Sequence, residues 1–459
     1  MKSTGILNCR AVLRSCYDLF ANSTNKRNGI LVVPILSGIT YVNICGDLLK
    51  VSRKTKPIFI SLAGMQETEG LVVSFYDTFG RQTHLKNLDR IMATFGGFPR
   101  LYTWLLDEIR NQNIEEPVGS QTAGRLYNGV KKRYSDKYPI TIWIQAFAQK
   151  TGNKEDKRIS ERTIGIAKSH LKRIHTIAVS GVTIHQDAKV DASIAIGMTY
   201  QELSAVGLFT LRPDPGNPDM KGNIIIPLVV LDAYCEHTGI CAPDTLSPFA
   251  YSWQSMEHVA MWTLRCFWNS FYFIGQGKIY VDQLRPGALH NNNGWLDNLP
   301  TLKVDKELPR VVSLASEFQG DLSTTFKTQG DGQGPEFTVS DRSIFTMMPN
   351  PAGNDGGALL LPLAILNQTK SLQLDTPNSR ITQQVVNDLV KKQQAAGDKF
   401  DFGTSTSIIY DLFTNKLAGP KLDASKLPDN TFLCTADNFA TVVGPVFKDT
   451  LMLFKPFFV

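Results

Sequence analysis

Hydrophobic and polar positions form their clearest pattern late in the chain, where an unbroken apolar run covers Ala358–Leu366. A glycine-rich polar turn that carries Asp355 precedes the run, and the polar residues Asn367–Lys370 follow it. Strands that are buried on both faces show such runs. We therefore expect a central β-strand here, or a hairpin that bends near Pro362.

The first part of the chain shows a helical pattern followed by a strand pattern. Apolar spacing predicts a helix over residues 4–22, and a short apolar run that ends in small residues predicts a buried strand over 29–38. Farther on, Pro99 suits the first turn of a second helix. That helix would bury an apolar stripe made of Leu101, Leu105 and Ile109.

The middle of the chain predicts a different order of elements. Tyr200–Leu211 indicates a helix that leads into a strand, Arg212–Gly222 is a turn rich in proline and glycine, and Asn223–Pro227 is a return strand. Helix, strand, long turn and strand are the outline of a winged-helix module. Such modules bind DNA in some proteins and only cover neighbouring domains in others.

The last part of the chain predicts helices and strands in the order of a restriction-endonuclease-like core. An amphipathic helix covers Trp253–Ile274, a short strand or turn covers Ile279–Ala288, and the apolar run described above follows a polar loop over 320–335. A polar helix over 382–396 and a strand over Phe432–Ala436 complete the series. The predicted fold class is α/β.

Length and composition describe a globular protein of more than one domain. The 459 residues exceed what one hydrophobic core holds, which favours two or three domains. The hydrophobic share of 42% and the charged share of 20% are ordinary for globular domains. No apolar run approaches the ~20 residues of a membrane helix, so we expect no membrane partner. Asn8, Arg10 and Arg14 interrupt the N-terminal apolar residues, so no clear signal peptide is predicted.

The seven cysteines are scattered along the sequence without a CxxC pair. Cys235 and Cys241 have no second pair that could complete a zinc site. We expect reduced thiols in an intracellular setting.

Basic charge is concentrated between Lys131 and Arg173, although the net charge of the whole chain is only +6. This segment holds twelve Lys and Arg residues against four acidic ones, with aromatic residues between them. One interpretation is a DNA-binding face, in which cations neutralise backbone phosphates. The alternative is solvated helix surface. The candidate phosphate-binding residues are Lys131, Lys132, Arg133, Lys157, Arg158, Lys168, Lys172 and Arg173.

Four polar residues of the last part could form a catalytic cluster. Side chains alternate along a strand, so Gln368 and Lys370 would project to the same side. Asp355 would arrive from the turn before the strand, and Glu257 from the predicted helix. Metal-dependent phosphodiester cleavage needs a carboxylate for Mg²⁺, a second oxygen ligand and a lysine near the attacking water. The alternative is a buried strand with polar ends, a turn-forming Asp355 and a surface Glu257.

Other enzyme motifs are absent from the sequence. No GxxxxGK[ST] loop is present, so neither bound ATP nor ATP hydrolysis is expected. Arg100 stands at a helix start, where a nucleotide sensor would sit, but a packing role or a surface ion pair is the alternative. The histidines lack HExxH or comparable ligand spacing, and no GxSxG elbow is present.

Several segments together resemble one family. They are Trp253-Gln-x-x-Met-Glu257 with Arg265 and the Gly287-Ala288 turn, Asn350-x-x-Gly353, Gln368-Thr-Lys370-Ser, Thr435-Ala-Asp-Asn-Phe439 and Gly444-Pro445-x-Phe447. The chain resembles the PD-(D/E)xK nuclease domain of Crinkler and retrotransposon-hot-spot proteins of eukaryotic microbes. A P-loop ATPase precedes the nuclease in those families. The segments VVPILSG and GGFPR resemble the sensor strand and the start of the lid helix of that ATPase.

The resemblance implies three parts. Residues 1–115 would be an ATPase remnant without Walker motifs, 116–240 a basic helical and winged-helix-like region, and 241–459 a nuclease-like domain. The ATPase resemblance begins after the expected place of the Walker motifs, which implies a truncated ATPase part.

The resemblance also assigns roles to the candidate site residues. Asp355 would bind Mg²⁺, although the family pattern expects this aspartate near Gly356 or Gly357, and Gln368 with Lys370 would fit a Q-x-K variant. Both the ATPase and the nuclease would be degenerate. The implied function is that of an effector that is secreted into a host and acts on DNA in the nucleus. The alternative is a non-enzymatic effector that binds host or chromatin proteins.

Overall fold

The computed structural model describes fourteen stretches of the chain. They are residues 88–96, 98–114, 119–150, 161–194, 197–204, 209–214, 220–240, 253–309, 311–313, 341–346, 355–370, 380–397, 406–414 and 416–447. The predicted helix over 4–22, the predicted strand over 29–38 and the predicted loop over 320–335 lie outside these residues.

Five helices come first among the described residues. They are α1 (Leu88–Ala93), α2 (Pro99–Asn111), α3 (Ser120–Lys137), α4 (Ile140–Lys150) and α5 (Glu161–Ser180). Helix α2 begins at Pro99 because Phe98 before it is extended and the proline ring suits the first helical position. The stripe predicted for α2 is buried, with Leu101, Leu105 and Ile109 each at most 3% exposed. This face of α2 packs on α3.

Residues 183–225 belong to a separate compact unit. Its elements are β1 (Ile184–His185), α6 (Tyr200–Ser204), β2 (Thr210–Pro213) and β3 (Lys221–Ile225). Strand β3 pairs antiparallel with β1 on one side and with β2 on the other. The predicted helix, strand and return strand are therefore present, and β1 is an additional strand that the sequence pattern did not indicate.

Helix α8 (Trp253–Phe273) is the central helix of the second unit, which includes residues 226–459. It follows α7 (Leu228–Thr238) and packs against α5 and the sheet described next. The helix is confirmed, but its predicted amphipathic character is wrong between Val259 and Ser270, where every side chain is buried. A helix that is buried all round needs cover on all sides. Here the cover comes from a helix and a sheet.

A mixed six-stranded sheet lies against α8. Its strands are β6 (Val312–Ser313), β7 (Ser343–Thr346), β8 (Gly356–Leu360), β9 (Leu363–Lys370), β11 (Ser407–Thr414) and β13 (Thr431–Cys434). They are arranged in the order β13-β11-β9-β8-β7-β6. Strands β9, β11 and β13 are parallel, and β8 is antiparallel to both of its neighbours. The apolar run thus folds as a hairpin that turns at Leu361 and Pro362, which was the second alternative.

The opposite face of the sheet carries α9 (Gln383–Gly397), close to the predicted helix over 382–396. Val386, Leu389 and Val390 of α9 join Leu412 of β11 in one apolar cluster. Asp411, the preceding residue, contacts the α8 side instead, since neighbouring side chains of a strand point to opposite faces. Helices therefore cover both faces of the sheet, and the α/β class is confirmed.

Short elements complete the second unit. They are β4 (Lys278–Ile279), β5 (Leu302–Lys303), β10 (Arg380–Ile381), β12 (Leu417–Ala418), α10 (Phe439–Val443) and 3₁₀ turns at Val281–Leu284, Trp295–Asn298, Ala424–Lys426 and Pro445–Phe447. Leu289 and Leu433 of β13 exchange two backbone hydrogen bonds of 2.9 and 2.8 Å. The segment after α8 is thereby tied to the last strand of the sheet.

Two further expectations concern membranes and thiols. Among the described helices, none is long and apolar enough to cross a membrane. Cys266 and Cys434 are free and buried. The expectation of reduced thiols is wrong for Cys235, which is disulfide-bonded.

Candidate functional site

Gly356 allows α8 to lie directly on the hairpin, and Gly357 allows the Phe345 ring to pack against it. A Cβ atom on Gly356 would come within 3.0 Å of Met261 Cγ on α8 and within 2.7 Å of the Phe345 carbonyl oxygen. A Cβ atom on Gly357 would lie 2.8 Å from the Phe345 ring and 2.7 Å from the Ile365 carbonyl oxygen. Neither position has room for the aspartate that the family pattern expects there. The carboxylate stands one residue earlier, at Asp355.

Asp355 is buried, with 3% of its surface exposed, and its backbone is irregular. Its N–H donates to the Asn367 carbonyl at 2.7 Å, although the strand register pairs Asn367 with Gly356. Two residues of one strand therefore oppose one residue of the other, which is the arrangement of a β-bulge. The Asp355 carboxylate accepts a hydrogen bond from the Thr369 N–H at 2.5 Å. The bulge thus directs this carboxylate towards the polar end of β9.

Glu257 lies in the first half of α8 and is only 1% exposed, so the alternative of a surface residue is wrong. No described residue forms a hydrogen bond with its Oε1 atom. Burial, followed by the nearby charge of Asp355, raises the pKa of Glu257 from 4.5 to about 8. Glu257 therefore keeps its proton at neutral pH. The structure brings Glu257 and Asp355 together as a buried acidic pair.

Gln368 and Lys370 occupy the end of β9. Gln368 is 8% exposed, and its buried Oε1 atom has no hydrogen-bond partner among the described residues. Its register partner Leu412 packs against α9, whereas the adjacent Asn367 side chain contacts Asp411 on the α8 side. Gln368 therefore points to the α9 face, away from Glu257 on α8, and only its neighbour Thr369 binds Asp355. Lys370 is the last residue of β9 and pairs with Thr414 of β11. The Lys370 side chain lies outside what the structure describes, so its proximity to Gln368 stays a prediction.

A buried polar network that the sequence did not suggest lies beside the acidic pair. Asp411 Oδ2 accepts hydrogen bonds from Arg285 Nε at 2.8 Å and from Asn367 Nδ2 at 3.3 Å, and Arg285 Nη2 lies 2.7 Å from the same oxygen. Arg285 also donates to the Ala260 carbonyl of α8 at 2.9 Å. Burial raises the pKa of Asp411, while the Arg285 charge opposes that rise. This network ties β9, β11 and α8 together.

One signal in the sequence could have indicated this network. Asp411 interrupts the apolar stretch Ser407–Thr414, and an acid within a buried strand requires a partner. The identity of that partner could not be inferred, because Arg285 lies 126 positions away along the chain.

The oxygen atoms at the acidic pair are ligands of the kind that a hard cation prefers, but they are few. Carboxylate oxygens are ligands that Mg²⁺ and Ca²⁺ prefer. Glu257 Oε1 is a buried oxygen that lacks a partner among the described residues, which fits a role as a cation ligand. The Gln368 amide lies on the other face of the sheet and does not add to these donors. Among the described residues, however, no group of three His, Cys, Asp or Glu side chains could hold a metal ion. The residues therefore fit a cation site of low charge.

The predicted basic segment divides into two groups with different surroundings. On α3, Lys131 pairs with Asp232 at 3.0 Å, and Arg133 pairs with Asp107 at 2.8 Å. Lys132 is exposed and lines a cavity of about 630 Å³ between α2 and α3. That cavity also contains three acidic side chains, so its charge is nearly balanced. They are Asp107, Glu108 and Asp136.

The second basic group lies on α5. Lys168 is exposed, Lys172 forms an ion pair with Glu307, and the Arg173 guanidinium lies over the Phe273 ring. These three residues line another cavity, which shares no residue with the first. Lys157 and Arg158 lie outside the described residues.

Arg100 at the start of α2 contacts an aromatic residue. Its Nη1 atom donates a hydrogen bond to the Tyr138 hydroxyl, and its guanidinium carbon lies 6.0 Å from the Tyr138 ring centroid. The guanidinium therefore takes part in a surface contact between α2 and the end of α3. The nucleotide-sensor role stays a prediction.

Neither a family model, nor a curated protein, nor a solved structure matches the chain.

Proposed function

We propose that residues 241–459 form a nuclease-like DNA-binding domain in which the acidic pair is a weak divalent-cation site and DNA cleavage is degenerate. The observation that carries this proposal is the acidic pair itself. Burying two carboxyl groups near each other costs folding free energy. The pKa of about 8 at one of them is a shift of the kind found at functional sites. Such pairs are typical of sites that hold a cation or move a proton.

A bound divalent cation would supply Lewis-acid chemistry, since it polarises a phosphate oxygen and activates a water molecule. Asp355 and Glu257 are the residues that would hold it. The Gln368 side chain faces α9 on the other side of the sheet and would not reach this cation, so the site has one ligand fewer than the sequence predicted. Glu257 keeps its proton near neutral pH, which reduces the negative charge of the site.

The remaining roles concern the substrate and its access. Lys370 ends β9, and its ammonium would neutralise charge on a DNA phosphate. The two acids are at most 3% exposed, which limits the approach of a phosphodiester to them. Deep burial and low charge both favour DNA binding over efficient cleavage.

The rest of the chain enters the proposal through the family resemblance. Residues 1–115 would be an ATPase remnant, and the sheet of β1, β3 and β2 with α6 would be a winged-helix-like module of the region 116–240. The chain would then be a Crinkler-like effector, secreted and active in a host nucleus. What supports this part is the set of matching segments and the strand order β1-β3-β2.

The first prediction tests the cation site directly. Addition of Mg²⁺ or Mn²⁺ should raise the melting temperature of the wild-type protein, because a ligand that binds only the folded state stabilises it. Asp355→Asn and Glu257→Gln should abolish this rise. Asp388→Asn, on the exposed surface of α9, is the matched control and should retain it. An equal rise in all four proteins would exclude the acidic pair as the cation site.

Plasmid nicking by the same proteins and by Lys370→Ala separates a degenerate nuclease from an active one. The proposal expects DNA binding by the wild type with only background nicking. Nicking that Asp355→Asn and Lys370→Ala both remove would show an active nuclease and overturn the degeneracy.

A non-enzymatic interaction protein is the second candidate. The observation in its favour is that Lys131, Arg133 and Lys172 are already paired with acidic residues. Fewer cations would then be available for phosphates. The dependence of DNA affinity on salt distinguishes the two candidates, since several phosphate contacts produce a steep slope and their absence a flat one.

A further inference from the structure

Three helices of the second unit meet around a cavity of about 330 Å³. The cavity is near the lower limit of the sizes found for small-ligand sites. Helix α5 contributes one wall, and the ends of α7 and α8 contribute the others. The lining residues are Lys168, Ser169, Lys172, Arg173, His237, Thr238, Tyr272, Phe273 and Glu307.

The charge of this cavity is positive. Lys168 and His237 are exposed at its edge. Among the described lining residues, Glu307 is the one acidic side chain, and it contacts both Lys172 and Arg265, the latter at 3.7 Å. The lysines and arginines of this lining therefore outnumber its carboxylates three to one. An anionic ligand would be attracted, in contrast to the balanced cavity between α2 and α3.

Aromatic rings adjoin these cations. The Arg173 guanidinium carbon lies 4.8 Å from the Phe273 ring centroid, and the Tyr272 ring lies 5.7 Å from the Phe273 ring. Tyr272 and Phe273 are only partly buried, and both line the cavity. Proteins that bind single-stranded nucleic acids combine cationic groups with partly exposed aromatic rings. The phosphates contact the cations, and the bases stack on the rings.

The two main walls are fixed relative to each other. The Ser270 hydroxyl of α8 donates to the Thr176 carbonyl of α5 at 3.2 Å and accepts from the Ser180 hydroxyl at 2.8 Å. These buried hydrogen bonds lie on the same two helices that carry Arg173 and Phe273. The cavity is therefore pre-organised, which reduces the entropic cost of binding.

We propose that this cavity binds one nucleotide unit of a single-stranded nucleic acid. Lys168, Arg173 and His237 would contact the phosphate, and Tyr272 with Phe273 would stack on the base. The size of the cavity suits a single nucleotide and excludes a duplex. This inference takes one element from the proposed function, namely that the ligand is a nucleic acid. The residues that line the cavity are separate from the acidic pair.

The second prediction tests this site by fluorescence anisotropy in EDTA with a labelled oligothymidylate of about ten nucleotides. Phe273→Leu should weaken binding about tenfold, because it removes one stacking surface. Lys168→Gln and Arg173→Gln should each reduce the slope of log affinity against log salt by about 0.7. Lys391→Gln, an exposed lysine of α9, is the control and should change neither quantity. Since Lys168 is exposed, its variant should fold even if Phe273→Leu does not.

Competition identifies the source of the nucleotide. Displacement of the labelled strand by free thymidine monophosphate would show a site for a nucleotide or a strand end. Displacement by longer strands alone would show a site for a continuous strand. Both outcomes support the proposal. Equal displacement by polyglutamate, or equal affinity of the wild type and all three site variants, would overturn it. Because EDTA removes divalent cations, failure of this site is distinguishable from failure of the cation site.

Discussion

Glu257 and Asp411 are both buried acids, but their neighbours differ. Asp411 has the Arg285 guanidinium and the Asn367 amide at hydrogen-bond distance, so its charge is compensated. Glu257 has Asp355 nearby and an oxygen without a partner among the described residues, so its charged form is disfavoured. The same residue class thus serves two purposes. Asp411 fixes the packing of α8 on the sheet, whereas Glu257 is kept as a neutral acid.

The third prediction follows from the raised pKa of Glu257. A carboxyl whose pKa is higher in the folded state favours folding at low pH, and this contribution is present below pH 4.5 and lost as the pH rises to about 8. The contribution is on the order of 3 to 5 kcal/mol. The unfolding free energy of Glu257→Gln should therefore fall less between pH 5 and 8 than that of the wild type.

Urea denaturation at a series of pH values without divalent cations measures this difference. Asp388→Asn is again the control, since it also replaces a carboxylate by an amide, and its curve should run parallel to that of the wild type. Parallel curves for Glu257→Gln and the wild type would contradict a raised pKa at this position.

At the scale of single elements, hydrophobic pattern predicted several of the described elements. The hairpin of β8 and β9, the helix at Pro99, and helices α8 and α9 were all indicated. Strand β11 was not predicted, because Asp411 interrupts its apolar pattern and its partner Arg285 comes from a distant part of the chain. Tertiary contacts of this kind leave no local pattern.

The candidate site, too, could be predicted from the sequence only in part. The acidic pair was proposed from the order of residues, but the bulge at Asp355 and the burial of Glu257 could not be inferred from it. Both result from the close approach of α8 to Gly356, which depends on the packing of the whole unit.

The fourth prediction concerns glycines in different elements. Gly356→Ala should destabilise the protein by about 1–3 kcal/mol, because its Cβ would approach the Phe345 carbonyl and Met261. Gly165→Ala is the matched control, since this glycine lies in α5 with no atom within 4 Å of an added Cβ. There the substitution should stabilise by roughly 1 kcal/mol through helix propensity. Chemical denaturation measures both values, and a neutral effect at Gly356 would contradict the close packing of α8 on β8.

At the scale of the second unit, residues distant in sequence complete one core. The turn after α10 packs on the C-terminal end of α5, and Phe447 lies edge-on to Trp262 of α8, with ring centroids 5.6 Å apart. Gly444 permits this arrangement, because its φ of +100° is disfavoured for other residues and its α-hydrogen faces the Val179 carbonyl.

The fifth prediction tests this connection. Gly444→Ala should destabilise the unit by about 3 kcal/mol or more, since strain at positive φ adds to overlap with the Val179 carbonyl oxygen. Circular dichroism during thermal unfolding measures the change. A melting temperature equal to that of the wild type would mean that this turn does not pack on α5.

The position of α8 beneath the sheet has a consequence for biosynthesis. Helix α8, buried throughout Val259–Ser270, leaves the ribosome before β7, β8 and β9, which contact it in the finished protein. Nascent chains therefore carry this helix without its cover until β9 has been translated. We expect chaperones that bind exposed apolar segments to hold this helix during translation.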